Sequence, residues 1–220
     1  MKNYLILFVL FIIFSTSCKK DEIVSTPPAS IIPTYLPMKI GNYWIYKNYV
    51  TDTLGNQNEL GYLDSIRITG DSIINNQQFF IFSNYVVQPN QIGLRNHTIV
   101  RDSAGCLLNP EGDLLFTPYD FTNVFREQTL FYGSSTDTLG IVYYRMKKII
   151  DTVDVPAGSF EDVLCVERSV EIDPYYYNLP QHRTFVQEYA PETGIIYKTW
   201  GFLSGTDIYD KRLLRYYVQP

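Results

Sequence analysis

Leu164, Val166, Val170 and Ile172 alternate with Cys165, Glu167, Ser169 and Glu171, and this period of two constrains the fold more than any other feature of the chain. Successive side chains on a strand leave by opposite faces, so the segment has one apolar face and one wetter face, as in an antiparallel sheet with one side buried. Arg168 falls on the apolar side and is the exception to the pattern. Further segments rich in β-branched and aromatic residues read as strands: 43–50, 62–69, 78–87, 97–102, 141–155, 183–189, 195–200 and 212–218. Between them lie Gly70-Asp71, Asn75-Asn76, Ser103-Ala104-Gly105, Glu111-Gly112-Asp113 and Pro156-Ala157-Gly158, residues that tolerate tight turns or positive φ. The expected class is therefore all-β: mainly strand with one or two short helices, as a strongly curved antiparallel sheet or half-barrel, the alternative being a two-sheet β-sandwich. One helix is expected where Phe121, Val124, Phe125 and Gln128 share a face after Pro118 and Asp120.

The first 36 residues obey other rules. Lys2 precedes an apolar run from Tyr4 to Phe14, about eleven residues against the ~20 a membrane-spanning helix needs, so residues 1–17 read as a secretory signal peptide. The next four residues, Ser15-Thr16-Ser17-Cys18, resemble a relaxed bacterial lipobox, with Ser15 where leucine is usual. That resemblance implies lipidation of Cys18, which becomes the mature N-terminus, and several acyl chains at ~0.8 kcal/mol per buried CH₂ make a stable anchor. Lys19-Lys20-Asp21-Glu22 resembles the charged tag that sends Bacteroidota lipoproteins to the cell surface; otherwise it is the solvated start of a tether. Residues 18–36 read as a lipidated N-terminus and proline-rich tether, because prolines lock φ and hold the chain extended. Residues 37–220 read as a single β-rich domain, its fold beginning near Tyr35.

A formal net charge of −5 with no lysine or arginine cluster argues against nucleic acid as a partner. His97 and His182 are the two histidines and stand in no zinc-binding spacing, and no nucleophile elbow or phosphate-cradling loop occurs. No catalytic residue, cofactor or metal is expected. The carboxylate pairs Asp151 with Asp154 and Glu167 with Glu171 would serve glycoside hydrolysis only by facing each other across a cleft; solvated strand faces explain them more simply. With Cys18 acylated, Cys106 and Cys165 remain. Either they form a disulfide, closing a loop of about 60 residues for ~4 kcal/mol, or they are two buried thiols, the reading favoured because Cys165 sits mid-strand. Tyrosine is the compositional outlier, with 19 residues, and Tyr175, Tyr176 and Tyr177 between Pro174 and Pro180 form a candidate contact surface. Against that stands packing of alternate rings on the sheet. Trp44 reads as a core plug.

Three landmarks carry a wider resemblance: Leu36-Pro37-Met38-Lys39-Ile40-Gly41-Asn42-Tyr43-Trp44, then Val155-Pro156-Ala157-Gly158-Ser159-Phe160, then Tyr189-Ala190-Pro191-Glu192-Thr193-Gly194-Ile195-Ile196-Tyr197-Lys198. In this order they resemble uncharacterised outer-membrane lipoproteins of Bacteroidota, with Glu192 where that pattern often has glycine. The layout is also similar, at the level of fold, to the LolA-type lipoprotein carrier, a curved sheet closed on one side by short helices. The resemblance implies a lipid-anchored protein of the outer membrane, on its periplasmic face or at the cell surface; it implies no activity, and the scarcity of catalytic motifs gives the expectation that the protein is not an enzyme. The expected partners are the membrane, through the N-terminal lipid, and an apolar ligand, a glycan or an envelope protein held by a concave sheet or the tyrosine loop. The alternative is an anchored hydrolase with a carboxylate site that no motif reveals.

Overall fold

The strands run in the order β1 (Tyr43–Thr51), β2 (Gln57–Ile74), β3 (Gln77–Gln88), β4 (Gln91–Ser103), β5 (Cys106–Leu108), β6 (Leu114–Phe116) and β7 (Val124–Phe131), then β8 (Thr138–Lys148), β9 (Val153–Val155) and β10 (Gly158–Phe160), then β11 (Leu164–Ile172), β12 (His182–Ala190), β13 (Gly194–Trp200) and β14 (Ile208–Tyr217). This is a computed structural model, and it describes residues 33–220 except 134, 135, 177 and 181. All strands but β9 and β10 join one antiparallel sheet of twelve in the order β6-β5-β4-β3-β2-β1-β14-β13-β12-β11-β8-β7. Its two edges, β6 and β7, come back into contact, so the sheet curls almost into a barrel rather than splitting into the two layers of a sandwich. Near-closure protects both edges from pairing with another chain, and β6 is only three residues long.

The alternation of the sequence sets which side faces in. On β11, Leu164, Val166 and Val170 are buried, and on β1 Trp44 and Tyr46 are almost fully enclosed. Rings fill one end of the interior: Phe116 lies 4.6 Å from Tyr189 and 5.5 Å from Tyr35, and Trp44 stacks on Phe82 at 6.1 Å. Each such ring contributes ~1.5–3 kcal/mol through burial. Val155-Pro156-Ala157-Gly158 turns β9 into β10, a separate hairpin that packs Val153, Val155, Ala157 and Phe160 on this cluster. It is pinned to β14 by the Ala157 amide, which donates to Leu213 O at 2.9 Å.

The expected helix over 121–128 is a strand instead. Asp120 does act as a cap, accepting from the Thr122 and Asn123 amides at 2.9 and 3.1 Å, and the Asn123 side-chain amide at 2.9 Å, together with these bonds, holds its carboxyl far below the usual range. It caps a turn, because from Val124 onward the chain pairs with β8 and the ladder overrides the local start signal. Among the described residues no α-helix occurs; one turn of 3-10 helix covers Pro174–Tyr176. The expected strand over 141–155 also divides, since β8 ends at Lys148 and β9 belongs to the hairpin.

Tyr35 and Leu36, at the end of the segment 18–36, are buried in the core. Glu192 explains how the incoming chain is held. It adopts φ 54°, its amide donates to Thr34 O at 2.7 Å, and its carboxylate accepts from the Thr34 amide at 2.9 Å. The left-handed conformation costs a non-glycine residue ~1 kcal/mol, which the two bonds to Thr34 offset. Gly194, at φ 104°, is required by proximity as well, since a β-carbon there would lie 3.1 Å from Trp44 Nε1 and 3.3 Å from Leu36 Cδ1.

Candidate functional site

Inside the barrel lies a cavity of about 300 Å³, within the size range of small-molecule sites. One part of its wall is apolar, built by Trp44, Ile66, Phe82, Leu107, Val166 and Tyr189. Trp44 is thus both a core plug and part of the cavity wall; its Nε1 donates to Thr193 O at 2.6 Å, which leaves its ring faces for contact. The other part of the wall is basic: Arg168 from β11, Lys198 from β13 and Lys211 from β14. Asn84, Thr98, Gln187 and Arg126 also line the first cavity, Arg126 being paired with Asp113 at 3.0 Å. Two adjoining cavities of about 200 and 250 Å³ share Lys198 and Lys211 with the first and add Asp64 and Arg95, but none of those six apolar residues.

Antiparallel pairing places this basic wall. Lys198 and Lys211 are register partners across β13 and β14, and so leave the sheet by the same face. Arg168 stands between two apolar clusters, with Val166 in one and Val170 in the other, and its guanidinium lies over the Phe185 ring at 5.7 Å. Its Nη2 donates to Thr199 O at 2.7 Å, whereas its buried Nε has no hydrogen-bond partner. Lys211 stands 3.9 Å from Asp64 and over the Tyr46 ring at 4.7 Å. Asp64 is shared with Arg95 at 3.6 Å. Lys198 Nζ has no hydrogen bond or ion pair among the described residues.

Four cations, Arg95, Arg168, Lys198 and Lys211, share a space with one carboxylate, Asp64, where they repel one another and lose hydration. Burial pushes the Lys198 ammonium down to about 7, Lys211 and Arg168 push it the same way, and Asp64 opposes them. Burial lowers Lys211 and Arg168 as well. The site is a partly open, largely apolar space with surplus positive charge at one end.

None of the described residues singled out from the sequence as candidate sites lines this cavity. Cys18 and Tyr177 lie outside the described residues. Cys106 and Cys165 are free thiols, so no disulfide joins them. They belong to β5 and β11, well apart in the ladder order, and burial pushes the Cys165 thiol up to about 12. Tyr175 is 81% exposed and meets Tyr176 edge-on at 5.2 Å, while Tyr176 stacks on Tyr132 at 5.3 Å and packs on the cluster around Val170 and Phe185. One ring packs and one projects.

The carboxylate pairs also lie elsewhere. Asp151, Asp154 and Glu171 are exposed, and Glu167 is bound to Lys147. His97 does have a hydroxyl partner, Ser83 Oγ at 2.9 Å from Nδ1, but Ser83 is buried and bonded to Thr69 Oγ1 at 2.6 Å, a polar ladder across three strands. Among the described residues no three histidine, cysteine or acidic side chains group as metal ligands. No described helix is long and apolar enough to cross a membrane. Sequence reasoning missed Lys198 and Lys211. The available signal was a lysine on the buried face of a strand, as in Ile196-Tyr197-Lys198 and Lys211-Arg212-Leu213, the same irregularity that Arg168 shows on β11.

No protein-family model and no curated protein matches the chain. Two crystal structures are similar in fold. One is a candidate lipoprotein from Parabacteroides distasonis, at 13% identity and a TM-score of 0.46, covering 84% of this chain and 99% of the other. The second is a candidate exported protein with a YmcC-like fold from Bacteroides fragilis, at 14% identity and a TM-score of 0.48, covering 84% of this chain and all of the other.

Proposed function

We propose that the protein is a lipid-anchored lipoprotein of the outer membrane that binds an apolar ligand inside its barrel and performs no chemistry on it. The cavity of about 300 Å³ enclosed by the curled sheet carries this reading, because cores otherwise pack to near-crystalline density and leave few voids larger than a water. Its wall of aromatic and aliphatic side chains suits a ligand bound by burial of apolar surface. Of the three occupants that the sequence leaves open, an apolar ligand has a built space, whereas the projecting Tyr175 offers a glycan or a protein only a surface ring. The signal peptide and Cys18 supply the anchor, and the proline-rich segment supplies the tether.

Two measurements test the two halves of this reading. A neutral solvatochromic probe such as N-phenylnaphthylamine should bind and brighten with wild-type protein, and Val166→Phe, which fills the cavity, should abolish the signal while strand circular dichroism is retained. Undiminished binding by a folded Val166→Phe protein would exclude the cavity as the site. Separately, Cys18→Ala should move the protein from the membrane fraction to the soluble one, and unchanged fractionation would overturn the anchor.

A further inference from the structure

We infer that the ligand is an amphiphile with one anionic head, its hydrocarbon chain against Trp44, Phe82 and Tyr189 and its carboxylate or phosphate among Arg168, Lys198 and Lys211. This rests on the proposed cavity binding and adds the head group to it. Burial of a purely apolar ligand would leave Arg168, Lys198 and Lys211 less hydrated, with Asp64, itself shared with Arg95, as the one carboxylate to answer them, which is unfavourable. An anion resolves it. Half-buried Lys198 Nζ makes no hydrogen bond or ion pair among the described residues and the buried Arg168 Nε is unbonded, so donors are present and unused beside the space where a head group would sit, while the unbonded Asp64 Oδ1 is the group an anion must avoid. The two adjoining cavities widen the space on the basic side alone, giving a charged head room that the chain does not need.

Size limits the chain. The main cavity, about 300 Å³, stands at the small end of small-molecule sites, which favours a single medium-length chain. A simple inorganic or short carboxylate anion would satisfy the cations but leave the apolar wall unused. A cationic amphiphile would add to the surplus charge.

Displacement of the bound neutral probe from the full mature chain provides the test, with dodecanoate, dodecyl phosphate, dodecanol and acetate as competitors. Dodecanoate or dodecyl phosphate should compete about tenfold or more better than dodecanol, in line with the strength of charge-assisted bonds, and acetate should not compete. Which of the two anions competes better separates a fatty-acid source from a phospholipid-derived one. The double variant Lys198→Met with Lys211→Met should bring the anions down to the level of dodecanol and leave dodecanol within about twofold, since its chain contacts are kept. Equal competition by dodecanol and dodecanoate overturns the head-group assignment and leaves the cavity reading standing. Absence of probe binding, or displacement by none of the chain-bearing competitors, overturns both. The wild-type comparison needs no variant, so misfolding of the double variant does not shield the proposal.

Discussion

The apolar wall of the cavity and its basic wall occupy one interior but stand in opposite relations to stability. Trp44, Phe82 and Tyr189 gain by burial, contact one another's clusters and satisfy their polar atoms locally, as Trp44 Nε1 does with Thr193 O. Arg168, Lys198 and Lys211 lose hydration in the same space, repel one another and leave donors unbonded. Favourable burial of the first wall holds the barrel together, while the second is tolerated at a cost. That division is the usual mark of a place kept for binding, where side chains suited to a ligand are poorly suited to the empty fold.

The contrast is broken or sharpened by substitution. Trp44→Ala should cost about 3–5 kcal/mol, the range for a large aromatic truncated in a packed core, read as a lower urea midpoint. A loss under 1 kcal/mol would mean that the apolar wall is not the structural half. Lys198→Met should act in the opposite direction, raising stability by about 1 kcal/mol near neutral pH, because it removes an unpaired buried cation and keeps the chain's volume. If Lys198→Met destabilises the protein, Lys198 has a partner that the cavity geometry does not provide.

The same lysine links stability to pH. Its folded value, about 7, lies below the ~10.4 of an unfolded lysine, so between those limits the unfolded chain binds more protons and stability contributed at this site rises with pH. The groups that surround it are Lys211, Arg168, Asp64 and Arg95. The advantage of Lys198→Met over wild type should therefore be largest near about pH 6 and shrink towards about pH 10. Urea midpoints of both proteins across that range check this, and a gap that widens with pH would reverse the assignment. If an anion binds there, it holds Lys198 protonated, so dodecanoate affinity should fall above about pH 7 with proton uptake visible in calorimetry.

Two smaller effects lie away from the cavity. Glu192→Ala keeps the left-handed backbone but loses the bond to the Thr34 amide, and should cost about 1 kcal/mol without altering probe binding. A reducing agent should shift the thermal midpoint by less than about 1 °C, since Cys106 and Cys165 are free. Cys165, its thiol pushed up to about 12, should resist alkylation until the protein unfolds.

Most strands were legible because alternation and turn residues are local properties. The stretch from Leu164 to Ile172 predicts its apolar face, although Cys165 on the other face is buried as well, and its irregular member, Arg168, marks the site. Phe121 to Gln128 defeats a local reading for the converse reason: the Asp120 cap is genuine, but pairing with β8 makes the chain beyond it a strand. Glu192 was visible as a departure from glycine, yet its bonds to Thr34 join residues far apart in the chain and no spacing announces them.

Cysteine pairing shows the same limit, since two thiols on separate strands meet or not according to how the sheet curls. The alternation of apolar and polar residues, read with the turns between them, was enough to determine an all-β chain with one buried face, because side-chain direction along a strand depends only on position. Whether that face would pack solid or enclose a space depended on how far twelve strands curl before β6 meets β7. The pairing order, which sets β2, β14, β13 and β11 within one run of neighbouring strands, and the curl of that run bring Asp64, Lys211, Lys198 and Arg168 into one space, and Coulomb interaction acts through the distances they set, which sequence separation does not encode.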